Sequence, residues 1–157
     1  MSYQGASGEV SAVWRPRDTV LPLARPTSSV RFVAPGSVTA GQYGLFHLEM
    51  QPHAGGPAAH FHRTFSESFY VLEGTIRLFN GEAWVAGAPG DFIYIPEGGI
   101  HAFGNESDGT AAMLILFAPG VARERYFEEL AEIGNSGRHL TPGEWTELYA
   151  RHDQFMV

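Results

Sequence analysis

The sequence predicts an all-β domain, a small barrel of short strands followed by two helices. Short apolar and alternating segments are separated by glycine, proline and asparagine at intervals of about eight to twelve residues, which is typical of sandwiches and barrels. The 19 glycines and 10 prolines among 157 residues supply those turns. Helical periodicity begins only after Pro119-Gly120. Because a sheet of such strands avoids exposed edges by closing on itself, we expect a barrel.

Residues 1–28 are predicted to form an extended N-terminal arm. Pro16, Pro22 and Pro26 are spaced so that no helix can propagate through this segment. The arm either wraps a neighbouring subunit, seals the barrel, or is a loosely ordered tail. It carries more apolar side chains than a free tail normally does, which favours a homodimer.

Residues 29–119 are predicted to form the barrel. Around His47 the residues alternate between two faces, one of which we expect in the core. Asn80-Gly81 predicts a tight hairpin, because both residues accept the positive φ of a type I′ turn. The predicted strands are Ser29–Val33, Tyr43–Met50, Ala58–His62, Ser66–Glu73, Thr75–Phe79, Glu82–Ala86, Phe92–Ile95, a strand through His101 and Phe103, and Ala111–Ala118.

Residues 120–157 are predicted to form a C-terminal helical extension. In the first helix, Phe127 and Leu130 share an apolar stripe, and Gly134-Asn135 is the expected end. The second helix is expected to start at Thr141, with proline at its first position and glutamate three residues after the cap. We expect this pair to pack on the outside of the barrel.

Composition and charge exclude several classes of function. The formal net charge of -7 gives no electrostatic footprint for nucleic acid or a membrane surface. All basic residues are arginine, so Schiff-base lysine chemistry is excluded, and there are no cysteines. The sequence begins without a signal-like segment and contains no long apolar run. We therefore expect a soluble, cytoplasmic protein that acts on a small molecule.

Three histidines and one glutamate are the candidate metal ligands. His60 and His62 lie on the same face of a predicted strand, because the side-chain period of a strand is two. Glu67 follows on the next strand, and His101 lies on a later one. Imidazole and carboxylate ligands suit one divalent transition metal, which could be Fe, Mn, Ni, Co or Zn. On an octahedral ion, four protein ligands leave open positions, as a catalytic site requires.

The spacing of these residues resembles the two motifs of the cupin family. The first motif reads Gly55-Gly56-x3-His60-x-His62-x4-Glu67-x6-Gly74. The second reads Gly90-x5-Pro96-x-Gly98-x2-His101-x3-Asn105. The one departure is Ala54, where the family usually has glycine. The resemblance implies a cupin β-barrel, a double-stranded β-helix or jelly roll, and it implies that His60, His62, Glu67 and His101 are the metal ligands.

The helical tail after Ala118 is similar to that of small quercetin-dioxygenase-like cupins. This resemblance favours a metal-dependent dioxygenase acting on a small aromatic or enol/ketone compound, with Glu67 as general base. His47, Phe69 and Phe103 are the candidate substrate-binding residues, the two aromatics by stacking on a ring. The alternatives are a Lewis-acid isomerase, lyase or polyketide-type cyclase, and a non-enzymatic small-molecule-binding cupin, because this fold hosts all of them.

Overall fold

The structure, a computed structural model, describes residues 2–157. These residues form short strands, two α-helices and a 3-10 turn at Arg17–Thr19. The strands are β1 (Leu23–Ala24), β2 (Ser28–Ala34), β3 (Gly44–Met50), β4 (His60–Phe61), β5 (Ser66–Glu73), β6 (Ile76–Phe79), β7 (Trp84–Gly87), β8 (Phe92–Ile95), β9 (Ala102–Gly104), β10 (Ala111–Ala118) and β11 (Phe155–Met156). The helices are α1 (Arg123–Ser136) and α2 (Pro142–Arg151).

The strands are arranged in three antiparallel sheets. The largest has six strands in the order β1-β2-β3-β10-β5-β8, and a second has the order β7-β6-β9. The third sheet pairs β11 with β4. In the largest sheet, β10 lies between β3 and β5. Both strands come well before β10 in sequence, and β3 is much further from it than β5. This non-local order is that of a jelly roll and confirms the predicted fold class.

The hydrophobic core lies between the six-stranded and three-stranded sheets. Phe46, Phe69 and Ile115 enter it from the large sheet, and Ile76 and Leu78 enter it from the small one. All five are nearly inaccessible to solvent, as close packing of two inner faces requires. The sheets enclose this core without joining into one continuous hydrogen-bonded barrel.

The two helices come after β10, a strand of the large sheet, in sequence. The capping box predicted at the start of α2 is confirmed, since the Thr141 side chain accepts from the Glu144 N–H and the Glu144 carboxylate accepts from the Thr141 N–H. The end of α1 was predicted at Gly134-Asn135, and the helix ends one residue later, at Ser136, where Gly137 adopts a left-handed conformation with φ of 70°.

Two further details differ from the sequence expectation. The predicted hairpin joins β6 and β7, but only Gly81 has positive φ, and the turn is a wider loop. The Asn80 side chain closes it by accepting from the N–H groups of Glu82 and Ala83. β1 and β11 were not predicted. Neither described helix has the length and hydropathy that crossing a membrane requires.

Candidate metal centre and cavity

The four candidate ligands meet in the interior. His60 begins β4, His62 follows that strand, Glu67 lies on β5, and His101 immediately precedes β9. His60 and His101 are bridged by two backbone hydrogen bonds of 3.0 and 2.9 Å. Their side chains and those of His62 and Glu67 are buried, with at most 4% exposure. One potential ligand atom from each residue lies within 4.8 Å of all the others.

Backbone carbonyl groups orient all three imidazoles. The Nδ1 of His60 donates to the Ala58 carbonyl at 2.8 Å, and that of His101 donates to the Gly99 carbonyl at 2.9 Å. The Nδ1 of His62 donates to the carbonyl of Asp153 at 2.6 Å. Because a carbonyl only accepts, each Nδ1 carries the proton, and each Nε2 presents its lone pair to the centre.

In this tautomer the three imidazoles and the Glu67 carboxylate all present lone pairs to the centre. The Nε2 atoms of His62 and His101 lie 3.1 and 2.8 Å from Oε2 of Glu67. Each contact is a hydrogen bond only if the imidazole carries a second proton, and two buried imidazolium ions beside one carboxylate are costly. A single divalent cation would accept the lone pairs of all four residues. The cluster therefore fits a divalent metal site.

Burial and mutual contacts shift the ionisation of these residues. Burial raises the pKa of the Glu67 carboxyl, but the close contacts with His101 and His62 outweigh burial and hold that pKa well below its usual range. Burial, reinforced by the nearby His101, lowers the pKa of His60 to about 3. Burial lowers the pKa of His101 as well, but Glu67 outweighs it and raises that pKa above its ordinary value. His60 therefore stays neutral, as metal binding requires.

A cavity of about 160 Å³ adjoins this centre. His60 and Glu67 line it on one side, so a molecule inside would contact two of the four ligands. The rest of the wall combines aliphatic and polar residues with six aromatic ones. The aromatic residues include Phe103 from β9, Tyr126 from α1, and Trp145 and Tyr149 from α2. The two helices, expected to pack on the outside of the barrel, also contribute side chains to this cavity wall and to the core.

The three candidate substrate-binding residues lie in different places. Phe103 lines the cavity. Phe69 lies behind it in the core, with its ring 5.2 Å from that of Phe103 and 6.0 Å from that of His101. His47 is not at the cavity. In β3 the residues Phe46 and Leu48 face the core, and the period of two puts His47 on the outer face, paired with Arg31 of β2.

Sequence reasoning missed the contribution of the chain after α2. Asp153 lies close to the ligand strand, and its side chain accepts hydrogen bonds from Arg63 and Thr64. β11 then pairs with β4, placing Met156 opposite His60. Arg123, at the start of α1, also lines the cavity although it is 4% exposed. Nothing in the sequence distinguished these residues from ordinary polar residues of a helical tail.

The fold and centre together define a class of protein, the jelly-roll domains that hold a divalent metal with three histidines and a glutamate. A family model described as a cupin domain matches residues 46–117, the segment that carries all four ligands. Over this segment the chain is similar to cupin domains, and this match together with the fold supports a member of the cupin superfamily.

Comparisons with individual proteins agree with this assignment. Quercetin 2,3-dioxygenase of Bacillus subtilis (strain 168) is 29% identical over 102 residues, which cover 65% of this chain and 29% of that protein. The chain thus spans less than a third of the length of this curated relative.

Solved structures show the same fold at low sequence identity. The polyketide cyclase RemF from Streptomyces resistomycificus matches with a TM-score of 0.58 and 24% identity, over 68% of this chain and 78% of that one. Ectoine synthase from P. lautus matches with a TM-score of 0.62 and 14% identity, over 76% of this chain and 86% of that one.

Proposed function

We propose that this protein is a metal-dependent dioxygenase that acts on a small aromatic or enol/ketone compound. The observation that carries the proposal is that Glu67 and His60 belong both to the metal centre and to the wall of the cavity. A substrate in the cavity would therefore lie beside the metal. The similarity to quercetin 2,3-dioxygenase supports oxygen chemistry over the alternatives.

The size of the cavity restricts the substrate. An engineered protein cavity of about 150 Å³ accommodates benzene, so one of about 160 Å³ suits a single-ring compound rather than a fused or multi-ring one. The flat faces of Phe103 and Trp145 favour a planar molecule. Phe103 remains our candidate for substrate binding. Phe69 is better assigned to supporting the Phe103 ring from the core, and His47 is no longer a candidate.

In this proposal, Glu67 positions the substrate and takes a proton from its hydroxyl or enol group. The bound metal would supply Lewis acidity and, if redox active, electrons for oxygen. His60, His62, Glu67 and His101 would hold the metal, and because a carboxylate that binds a metal is a weak base, Glu67 would act as the base only while its own hold on the metal is weak. The aromatic wall keeps water away from the reacting group.

Elemental analysis combined with oxygen uptake tests the proposal. The purified protein is assayed over single-ring phenols and diketones, with and without oxygen. Oxygen consumed in proportion to substrate supports a dioxygenase. Turnover that continues without oxygen supports the Lewis-acid isomerase, lyase or cyclase instead, and no turnover with any compound supports a binding protein.

Glu67→Gln tests the role of the carboxylate, with Glu73→Gln as its control. Glu73 lies on the same strand but is exposed to solvent. Turnover per bound metal should fall by about 10²- to 10⁴-fold in Glu67→Gln, the usual contribution of a general base. It should not change in Glu73→Gln. If Glu67→Gln turns over substrate as fast as the parent, Glu67 is not the general base and serves only as a metal ligand.

The proposal also includes a cytoplasmic homodimer. The apolar side chains of Leu72, Phe92 and Tyr94 are exposed on the outer face of β5 and β8. β8 is an edge strand of the six-stranded sheet, and an exposed apolar edge favours pairing with a second chain. The arm adds exposed Val10 and Trp14.

A further inference from the structure

Arg123 is a buried cation at the wall of the cavity. It begins α1 and is only 4% exposed. Its Nη1 donates to the His152 carbonyl at 2.8 Å, and its Nη2 donates to Oε1 of Gln154 at 3.0 Å. The guanidinium carbon lies 3.8 Å from the centre of the Tyr126 ring. These contacts fix the direction of the guanidinium group but supply no negative charge.

Within residues 2–157, no carboxylate forms an ion pair with Arg123, and its Nε–H has no hydrogen-bond partner. Burial lowers the pKa of this guanidinium, which reflects the cost of holding its charge away from water. Arginine nevertheless remains protonated in proteins, so the charge persists. A buried charge without a counter-ion is strongly unfavourable, and such charges are normally paired.

A second arginine faces the same cavity. Arg25, just after β1, contributes to the wall, and its Nε is buried without a hydrogen-bond partner among the described residues. Among the described residues of the wall, Glu67 alone is acidic. Its single negative charge is already directed at the metal centre. The wall therefore has an excess of positive charge, and a bound metal would increase it.

We propose that the cavity binds a single-ring compound carrying a carboxylate, whose charge is held by Arg123 and assisted by Arg25. The planar fork of an arginine matches the two oxygens of a carboxylate. The stacked aromatic side chains of Trp145 and Tyr149 also line the cavity and are suited to contact the ring. This inference rests on the proposed function for the identity of the site, and it names the substrate class as anionic.

Binding of benzoate and of its neutral isostere benzamide tests the inference. Affinities are measured by calorimetry, and by the fluorescence of Trp145 with Trp145→Phe as the blank, on metal-free and Zn²⁺-loaded protein. Benzoate should bind at least about 10-fold more tightly than benzamide in both forms, since a hydrogen bond to a charged group adds that much. Equal affinity for the two compounds would overturn the proposal.

Arg123→Met removes the charge but keeps an apolar side chain of similar length. It should lose about 10-fold or more of the affinity for benzoate, and little of that for benzamide. Arg125→Met is the matched control, because Arg125 lies two residues away on the exposed face of α1. Arg123→Lys keeps the charge without the planar guanidinium group, so its affinity for benzoate should lie between the affinities of Arg123→Met and Arg125→Met.

Arg25→Met keeps the test decisive if Arg123→Met fails to fold. Arg25 is partly exposed, so its replacement should be tolerated and should still weaken benzoate binding relative to benzamide. Parental preference for benzoate in both folded arginine variants would contradict the proposal. So would benzoate binding that requires Zn²⁺ and ignores Arg123, because the anion would then bind the metal. If benzoate binds as expected but no compound is turned over, the proposed enzymatic function is rejected and the proposed anion-binding site is kept.

Discussion

Replacing Asp153 is predicted to weaken a metal centre that its side chain does not touch. The Asp153 carbonyl accepts from Nδ1 of His62, and its carboxylate holds the loop after His62 by accepting from the N–H groups of Arg63 and Thr64 at 3.0 and 2.8 Å. The residue has φ of 53°, a left-handed conformation that aspartate and asparagine tolerate better than alanine. The main-chain carbonyl of Asp153 thus contacts His62 directly, and its side chain holds the loop that follows His62.

The magnitude follows from these contacts. Asp153→Ala loses three hydrogen bonds, from the N–H groups of Arg63 and Thr64 and from the Thr64 hydroxyl, worth about 1 kcal/mol each in a partly exposed position, and adds about 1 kcal/mol of backbone strain. The free energy of unfolding of the metal-free protein should therefore fall by about 4 kcal/mol. The variant keeps the carbonyl that orients His62 but loses the side-chain contacts that hold it in place. Misplacing a group that orients a metal-binding histidine should cost up to the roughly 10- to 100-fold in metal affinity that its loss costs.

The assay is competition between the protein and a chelator for Zn²⁺, with urea unfolding of the metal-free protein measured separately. Asp153→Asn keeps one acceptor oxygen and the tolerance for positive φ, so it should lose less on both measures. Asp108→Ala is the control, because Asp108 is 99% exposed and pairs only with the exposed His53. If Asp153→Ala is destabilised but binds Zn²⁺ within about twofold of the parent, the Asp153 side chain is not needed to position the carbonyl that orients His62, and the reasoning is refuted.

Four further predictions concern the centre and the arm. His62→Ala should lower both metal occupancy and the melting temperature of the metal-loaded protein, because ligand binding stabilises only the folded state; unchanged values would remove His62 from the centre. Metal should be released as the pH falls below about 6, because the imidazoles must be unprotonated to bind, and full occupancy at pH 4 would contradict this. In the metal-free protein, the pKa of His60 falls from 6.5 to about 3 on folding, so its contribution to stability is present above pH 6.5 and is lost on acidification. Between pH 7 and 5 the parent should lose about 2 kcal/mol more than His60→Ala in urea unfolding, and equal losses would reject the shift. A variant lacking residues 1–21, which ends before β1, should be monomeric or less soluble by light scattering, and an unchanged dimer mass would exclude the arm from the interface.

Local sequence periodicity predicted the all-β class and, together with the motif spacing, identified the candidate metal ligands. His60 and His62 had to share a face because of the period of two, and the motif spacing associated them with Glu67 and His101. The same periodicity separated His47 from Phe46, but both faces of β3 carry apolar residues. Which face turned inward therefore depended on the sheet packed against it.

Long-range packing accounts for what the sequence did not reveal. The apolar stripe of α1 predicted that Phe127 and Leu130 would be buried, but not that the helix would close a cavity. β11 has two residues, too few for any periodic pattern, so its pairing with β4 left no signal. Arg123 looked like one more charge at a helix start, and only its burial distinguishes it from Arg125.

The support of His62 by Asp153 has a consequence for the order in which the protein acquires its metal during synthesis. All four ligands have left the ribosome once His101 has emerged, but β10, which joins β3 to β5, and the carbonyl that orients His62 come later. A nascent chain at that stage holds the ligand side chains without the geometry that makes them selective. We therefore expect tight loading to follow the docking of Asp153, after the helices have folded, so that a stalled or cleaved chain does not retain the metal.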